Sequence, residues 1–321
     1  MADVKLANFI IKTIVYFDIF DYPLTILEAW KWLYQGTVDK VQGTGGNGQY
    51  AIYNVQLARV IEELNQLVEE NKLETRNGFY FLPGRSNLIR LRLERYNIAE
   101  IKFKKALRLA KFLRFVPYIK MVAVCNTLGY SNSRDTSDID FFIITEKKRI
   151  WLARFCSVFF LKVLDLRPKT KNSKDKFCLS FFISEENLNL EKVALDDRDI
   201  YFHFWLSQLV PVFGVETYNK FLAENLWKKN YLPNFISYNT AVRRLARPGC
   251  DFIKTALLFL TPDFLEAVIR YAQLAIMPQK LKAMANKNTN VLINDTILKF
   301  HDNDRRIIYR ELWERKLSAL A

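Results

Sequence analysis

The chain has 321 residues, 50% of them hydrophobic, and carries a formal net charge of +14 at pH 7. That length suits two or three domains rather than one core, and the hydrophobic share excludes a disordered polymer. The positive balance favours anionic partners such as nucleotides, nucleic acid or an acidic surface.

Cys125, Cys156, Cys178 and Cys250 are far apart in apolar contexts, and no Cys-x-x-Cys pair occurs. A zinc site or disulfide framework is therefore not expected, and a reducing cytoplasm fits. The N-terminus lacks a basic-apolar-small signal pattern. The most apolar long run, Phe252 to Met277, is broken by Lys254, Pro262-Asp263, Glu266 and Arg270, so no membrane span is expected.

Apolar residues at helical spacing (Leu6, Phe9, Ile10, Ile14, Phe17) predict a first helix from about Leu6 to Phe20, ended by Asp21-Tyr22-Pro23. Thr25 with Glu28 three residues later is a capping-box signature for a second helix, Ile26 to Tyr34. A Gly-rich tract, Gly43 to Gly48, reads as a flexible loop. Leu57, Val60, Ile61, Leu64 and Val68 form one stripe of a third helix, Val55 to Glu70. Asn77-Gly78 between Leu73-Glu74-Thr75-Arg76 and Phe79-Tyr80-Phe81-Leu82 predicts a β-hairpin. Three helices closed by a hairpin resemble a winged-helix domain, spanning residues 1–84. The third helix would then be the recognition helix, yet it carries Glu62, Glu63, Glu69 and Glu70 against a single Arg59. Such a helix is repelled by phosphates, so sequence-specific DNA binding is not expected and a packing or protein-contact role is preferred.

After Pro83-Gly84 comes a basic helical stretch, Arg85 to Phe115, whose acidic residues are Glu94 and Glu100. Its cations read either as a solvated face or as the lining of an approach to an anion site. The stretch leads into the apolar run Met121-Val122-Ala123-Val124, then a turn-rich segment, then Ser137-Asp138-Ile139-Asp140 and Phe141-Phe142-Ile143-Ile144. The last run is β-branched and aromatic on both parities, as in a strand covered on both faces. With a side-chain period of two, Asp138 and Asp140 point the same way at the mouth of that strand. Two like charges there conflict unless a divalent cation such as Mg2+ joins them. The plainer reading is an acid-rich turn whose carboxylates cap backbone.

Strand, small-residue turn, Ser-Asp-Ile-Asp and apolar strand together resemble the nucleotidyltransferase superfamily that includes DNA polymerase beta. The resemblance implies that the aspartates hold metal and that a Gly-Ser turn binds nucleotide phosphates. Asn126-Thr127 stand where Gly-Ser would be. Thr127 keeps the hydroxyl, while Asn126 is a departure that tolerates positive φ but carries a side chain. Carried over to this chain, Asp138 and Asp140 are the catalytic and metal residues, with Mg2+ or Mn2+ as cofactor. Asn126, Thr127 and Leu128 would bind the triphosphate, and Ser137 would orient the aspartates.

Lys148 to Leu166 predicts a helix, and Phe177 to Ile183 a further strand. The family commonly places a third carboxylate on such a strand; here there is none, and Glu185 and Glu186 follow its end. Either one of them reaches back, or an acid from the later helical half substitutes, or the site is incomplete. Beyond Asp196 the chain reads as helical over Tyr201–Leu209, Val215–Trp227, Asp251–Met277 and Arg305–Leu317, with a strand-like Val291-Leu292-Ile293. His203 reads as a satisfied core histidine, and Asp302 or Asn303 as a helix cap.

The expected fold class is α+β: a polymerase-beta-type core of mixed sheet flanked by helices (85–195), after a winged-helix domain (1–84) and before an α-helical C-terminal domain (196–321). The expected function is transfer of a nucleoside monophosphate from a nucleoside triphosphate to a hydroxyl on a small molecule, protein or RNA. The alternative is a catalytically incomplete module of the same fold that binds nucleotide or protein.

Overall fold

The computed structural model describes residues 2–36, 55–168, 173–237, 242–246 and 262–320. The Gly43–Gly48 tract, Cys250 and the start of the Asp251–Met277 helix lie outside the described residues.

Three N-terminal helices form where the apolar spacing places them: α1 (Ala2–Asp18), α2 (Ile26–Lys31) and α3 (Leu57–Glu69). At the start of α2 the Thr25 hydroxyl accepts from the Glu28 amide while the Glu28 carboxylate accepts from the Thr25 amide, the reciprocal capping box. A two-residue β1 (Leu24–Thr25) pairs with β3 (Phe79–Phe81), which in turn pairs with β2 (Glu74–Arg76). Asn77 and Gly78 between β2 and β3 both take positive φ, the requirement of a type I′ hairpin turn. Glu62, Glu69 and Glu70 of α3 are exposed and Glu63 is buried.

The long basic helix is α4 (Leu88–Leu113); after it come β4 (Ile119–Val124), the single turn α5 (Asn126–Gly129), β5 (Ile139–Thr145), α6 (Ile150–Val163) and β6 (Phe177–Ser184). Strand β5 pairs antiparallel with β4 and parallel with β6, the latter reached through α6. Burial on both faces explains the unbroken apolar runs. Ile139, Phe141 and Ile143 enter the core cluster that holds the inner side of α4 and α6, whereas Phe142 and Ile144 enter a second cluster on the other face.

The segment from 196 onward is not wholly helical. It contains α7 (Ile200–Ser207), β7 (Val210–Phe213), α8 (Val215–Glu224), α9 (Asp263–Ala275), α10 (Gln279–Met284), β8 (Val291–Ile293), β9 (Ile297–Phe300) and α11 (Arg306–Ser318). Strands β7, β9 and β8 complete one mixed six-stranded sheet in the order β7-β4-β5-β6-β9-β8. The expected α-helical C-terminal part thus carries three strands: β8 is the strand-like Val291-Leu292-Ile293, whereas β7 and β9 escape the sequence because each is four residues long and carries Pro211 or Lys299. Neither shows a strand-length apolar period; their pairing with β4 and β6 creates them.

Helix α7 is apolar nearly all round because it is covered on all sides. Ile200 and Phe204 pack into the cluster of α1, α2 and α3, while Phe202, Trp205 and Leu206 pack on the sheet. Trp313 of α11 joins the N-terminal cluster and donates from Nε1 to the Lys12 carbonyl at 2.9 Å. The N-terminal helices thus share their core with both α7 and α11. No described helix is long and apolar enough to cross a membrane.

A candidate metal and nucleotide site

The register of β5 on β6 determines what meets the aspartates. Asp140 lies opposite Cys178, and one carboxylate oxygen from each of Asp138 and Asp140 lies within 4.8 Å of the other and of the Cys178 sulfur. The register shifts between Asp140 and Phe142, so β6 carries one extra residue around Leu179-Ser180. That bulge lies directly beside the cluster. Cys178 therefore occupies the place where a third strand acid was sought. The only signal for it was its parity in Phe177-Cys178-Leu179, and a search confined to carboxylates passes over a thiol.

Glu185 and Glu186 do not reach back. Because β6 runs parallel to β5, Glu185 sits at the opposite end, where its amide donates to the Thr145 carbonyl at 2.9 Å. Five residues separate Asp140 from Thr145, roughly 16 Å of strand at about 3.3 Å per residue.

Asn126 adopts φ +54°, the left-handed conformation a glycine would supply. Its side chain does not hang free over the turn: Oδ1 accepts from Trp205 Nε1 at 2.9 Å, and the amide group donates to Asp140. The departure from Gly-Ser is thus built into the site as a bridge between α7 and the Asp140 carboxylate. Gly129, at the end of the same turn, is required by close approach: a Cβ there would stand 2.3 Å from the Gln208 carbonyl oxygen. Thr127 lines the cavity beside Asn126, whereas the Leu128 side chain is in the core. Ser137 does not touch the carboxylates. Its hydroxyl donates to the Arg134 carbonyl at 2.8 Å, closing the loop that presents Asp138. Lys102 of α4, fully buried, tightens the same loop by donating to the Asp135 and Ser137 carbonyls at 3.0 and 2.7 Å and pairing with Asp175.

The cations of α4 divide by facing. Arg92, Arg95, Lys102 and Lys105 turn inward to partners, while Arg90, Lys104, Arg108 and Lys111 are exposed. Arg95 donates to the Phe20 carbonyl and to Asp21, and it borders the cavity at Asn126 and Thr127.

Two adjoining cavities, of about 520 and 570 Å3, share Asn126, Asp138, Tyr201, Trp205, Arg305 and Tyr309. Arg95, Arg134 and Arg305 give the second an electropositive wall, and the stacked pair Tyr201–Tyr309 (ring centroids 5.1 Å apart) gives it a flat aromatic one. The stretch Lys299–Arg306 lines the first. The cap is not Asp302 or Asn303 as expected: Asp302 pairs with Lys280, and it is the Asp304 carboxylate that accepts from the Arg306 amide at the start of α11 at 3.0 Å. Asp304 further binds Lys299 and Arg306 at 2.9 Å, and Arg306 also binds Asp199, a buried four-residue ion network behind the cavity wall.

Burial raises the pKa of both aspartates. Asp140 is pushed up to about 7, by desolvation first and the Asp138 charge second, against donation from Asn126 and Cys178. Asp138 is also raised by desolvation, with Lys102 opposing. The Cys178 thiol is pushed up by burial and by Asp140, so it is neutral at pH 7 and donates to Asp140. Ser180 lies 3.1 Å from His301 Nε2, and burial pushes that imidazole down to about 3. His203 is a fully buried core histidine stacked on Tyr231, as expected, but its Nε2 has no hydrogen-bond partner among the described residues.

Two carboxylates under mutual repulsion in a desolvated mouth suit a hard divalent cation that keeps its other positions for water and phosphate oxygens. A neutral thiol does not suit Mg2+, so the donor set fits a cation held by two acids. The chain matches no protein-family model, no curated protein and no solved structure.

Proposed function

We propose that this chain is a metal-dependent nucleotidyltransferase of the DNA polymerase beta type. It moves a nucleoside monophosphate from a nucleoside triphosphate to a hydroxyl acceptor in a reducing cytoplasm. The observation that carries the reading is the meeting of Asp138 and Asp140 with the left-handed Asn126 turn at the mouth of an arginine-walled cavity. In this reading Asp138 and Asp140 hold Mg2+, and the bound cation supplies charge neutralisation on the phosphates and orientation of the acceptor.

The chain's own residues carry the remaining work. Thr127 and the backbone of the Asn126 turn receive the β and γ phosphates, with Arg95, Arg134 and Arg305 offsetting their charge. Tyr201 and Tyr309 offer the base a stacking surface. Lys102 and Ser137 fix the loop, so that Asp138 is held before substrate arrives. An acceptor oxygen attacks the α-phosphorus, the bond to pyrophosphate breaks with its electron pair leaving on pyrophosphate, and the hydroxyl proton passes to the Asp138 carboxylate. The N-terminal helices with the β1-β3-β2 sheet support a winged-helix reading whose acidic α3 suits protein contact over DNA.

A second reading is a nucleotide-binding module of this fold without transfer. Cys178 favours it, since a neutral thiol in place of a third acid leaves the acceptor hydroxyl without an activating carboxylate. Mn2+ titration followed by electron paramagnetic resonance, with and without a non-hydrolysable triphosphate, tests what both readings share. One site strengthened by nucleotide and lost in Asp140→Asn is expected; binding indifferent to Asp140 removes both.

A further inference from the structure

Asp138, Cys178 and Ser180 also line a further cavity of about 350 Å3, which adjoins the 520 Å3 cavity at those residues and at Phe300 and Asp302. It runs past Arg154, Arg167 and Phe300 into an apolar slot of about 300 Å3. Phe155, Val158 and Phe159 of α6 form one wall of that slot, and Ile276, Met277 and Leu281 form the other. Apart from Asp138, none of these residues is used by the triphosphate as placed above.

Arg154 is half-buried, its Cζ lies 4.5 Å from the Phe300 ring centroid, and its buried Nε has no hydrogen-bond partner among the described residues. Its neutral partner is Gln273, which presents Oε1 to Arg154 because its own Nε2 is held by the Trp151 carbonyl at 2.8 Å. Arg167 stands close enough for its charge to oppose that of Arg154, and neither arginine has an ion-pair partner among the described residues. The other charges on this cavity are Asp138 at its mouth and the Lys280–Asp302 pair at 2.6 Å, which cancel each other apart from Asp138. Two neighbouring guanidinium groups with no ion pair among the described residues are costly unless an anion joins them. Guanidinium forks match phosphate or carboxylate oxygens.

We propose that this junction is the acceptor site, and that the acceptor is a small hydroxyl compound with an anionic head and an apolar segment. The head, a phosphate or a carboxylate, sits between Arg154 and Arg167, and the apolar segment fills the slot between α6 and the 276–281 turn. The hydroxyl then lies at the Cys178–Ser180 end, next to Asp138, where this cavity meets the one beside the triphosphate. The assignment rests on the transferase reading, and a slot of about 300 Å3 suits a short apolar chain over a bulky macromolecular acceptor.

Hexyl phosphate, hexanoate and hexanol, titrated calorimetrically into the full chain with Mg2+, test it. Hexyl phosphate or hexanoate binds with millimolar or better affinity, the stronger of the two identifying the head, and hexanol binds at least tenfold more weakly. Arg154→Gln and Arg167→Gln each weaken that binding at least tenfold, and binding of a non-hydrolysable triphosphate stays within twofold. Arg167 is a loop residue, so its variant keeps the test valid if Arg154→Gln fails to fold. Equal binding of hexanol, or anion binding indifferent to both arginines, overturns the proposal. Failure of the triphosphate to bind while hexyl phosphate binds refutes the transferase reading and the acceptor role with it. Triphosphate binding without any anion binding refutes the acceptor site alone.

Discussion

Replacing Asp140 by Asn separates a metal site from a structural turn, because the two assign opposite signs to the carboxylate's effect on stability. Asp140 titrates near 7 in the folded chain against an ordinary 3.8, chiefly through desolvation. The sign follows from proton counting: between those values the native state holds a proton that the unfolded chain has released, so stability falls as pH rises through the window. Three units at about 1.4 kcal/mol each set a ceiling of about 4 kcal/mol. Water reaching the half-buried carboxylate reduces this to about 1–2 kcal/mol. Asn keeps the acceptor for Asn126 and Cys178 and offers Nδ2 to Asp138, so no hydrogen bond is orphaned. Urea unfolding in EDTA therefore shows Asp140→Asn more stable than the parent by about 1–2 kcal/mol at pH 8, the gap narrowing below pH 7 and closing by about pH 3. With saturating Mn2+ the order reverses, since the parent alone gains from binding. A variant less stable than the parent at pH 8 without metal would refute the reasoning and make Asp140 a structural cap.

Removing one member of the buried network behind the cavity, as in Asp304→Asn, leaves Lys299 and Arg306 undercompensated and costs about 3–5 kcal/mol in the same unfolding assay. Lys299 and Arg306 hold the Asp304 carboxyl down to about 2 despite its burial, so its contribution is present above pH 4 and lost as pH falls from there towards 2; acid unfolding that ignores Asp304→Asn contradicts this. Gly129→Ala forces Cβ into the Gln208 carbonyl and lowers stability by about 2 kcal/mol or more, with weaker nucleotide binding because the Asn126 turn shifts. Cys178→Asp installs a third acid opposite Asp140 and tightens Mn2+ at least tenfold, whereas Glu185→Gln and Glu186→Gln leave Mn2+ and nucleotide binding unchanged; loss of binding in either glutamate variant would contradict the strand direction.

The parts legible in the sequence are those set by local period and turn chemistry. The Thr25–Glu28 box, the Asn77-Gly78 turn and the three central strands each carry their cause within a few residues, and the structure has them in place. Asp138 and Asp140 were legible as a pair because a period of two links them. What the sequence hid is set by long-range pairing. Cys178 becomes a neighbour of Asp140 only through the β5–β6 register, and the same parallel pairing carries Glu185 to the far edge. Lys299 in β9 and Pro211 in β7 break the apolar pattern of their strands. The 301–306 stretch reads locally as a cap, yet it becomes cavity wall once β9 docks on β6.

The central claim is transfer, and the direct test follows the α-phosphate. Purified chain, Mg2+ and each α-labelled nucleoside triphosphate are combined with a cell extract filtered to small molecules; labelled adducts are separated and counted, and released pyrophosphate is measured enzymatically. The account predicts that one triphosphate gives Mg2+-dependent pyrophosphate release with stoichiometric label on an anionic product, and that Asp140→Asn gives neither. Triphosphate that binds the parent tightly, yet yields no pyrophosphate and no labelled product from any extract, would contradict it.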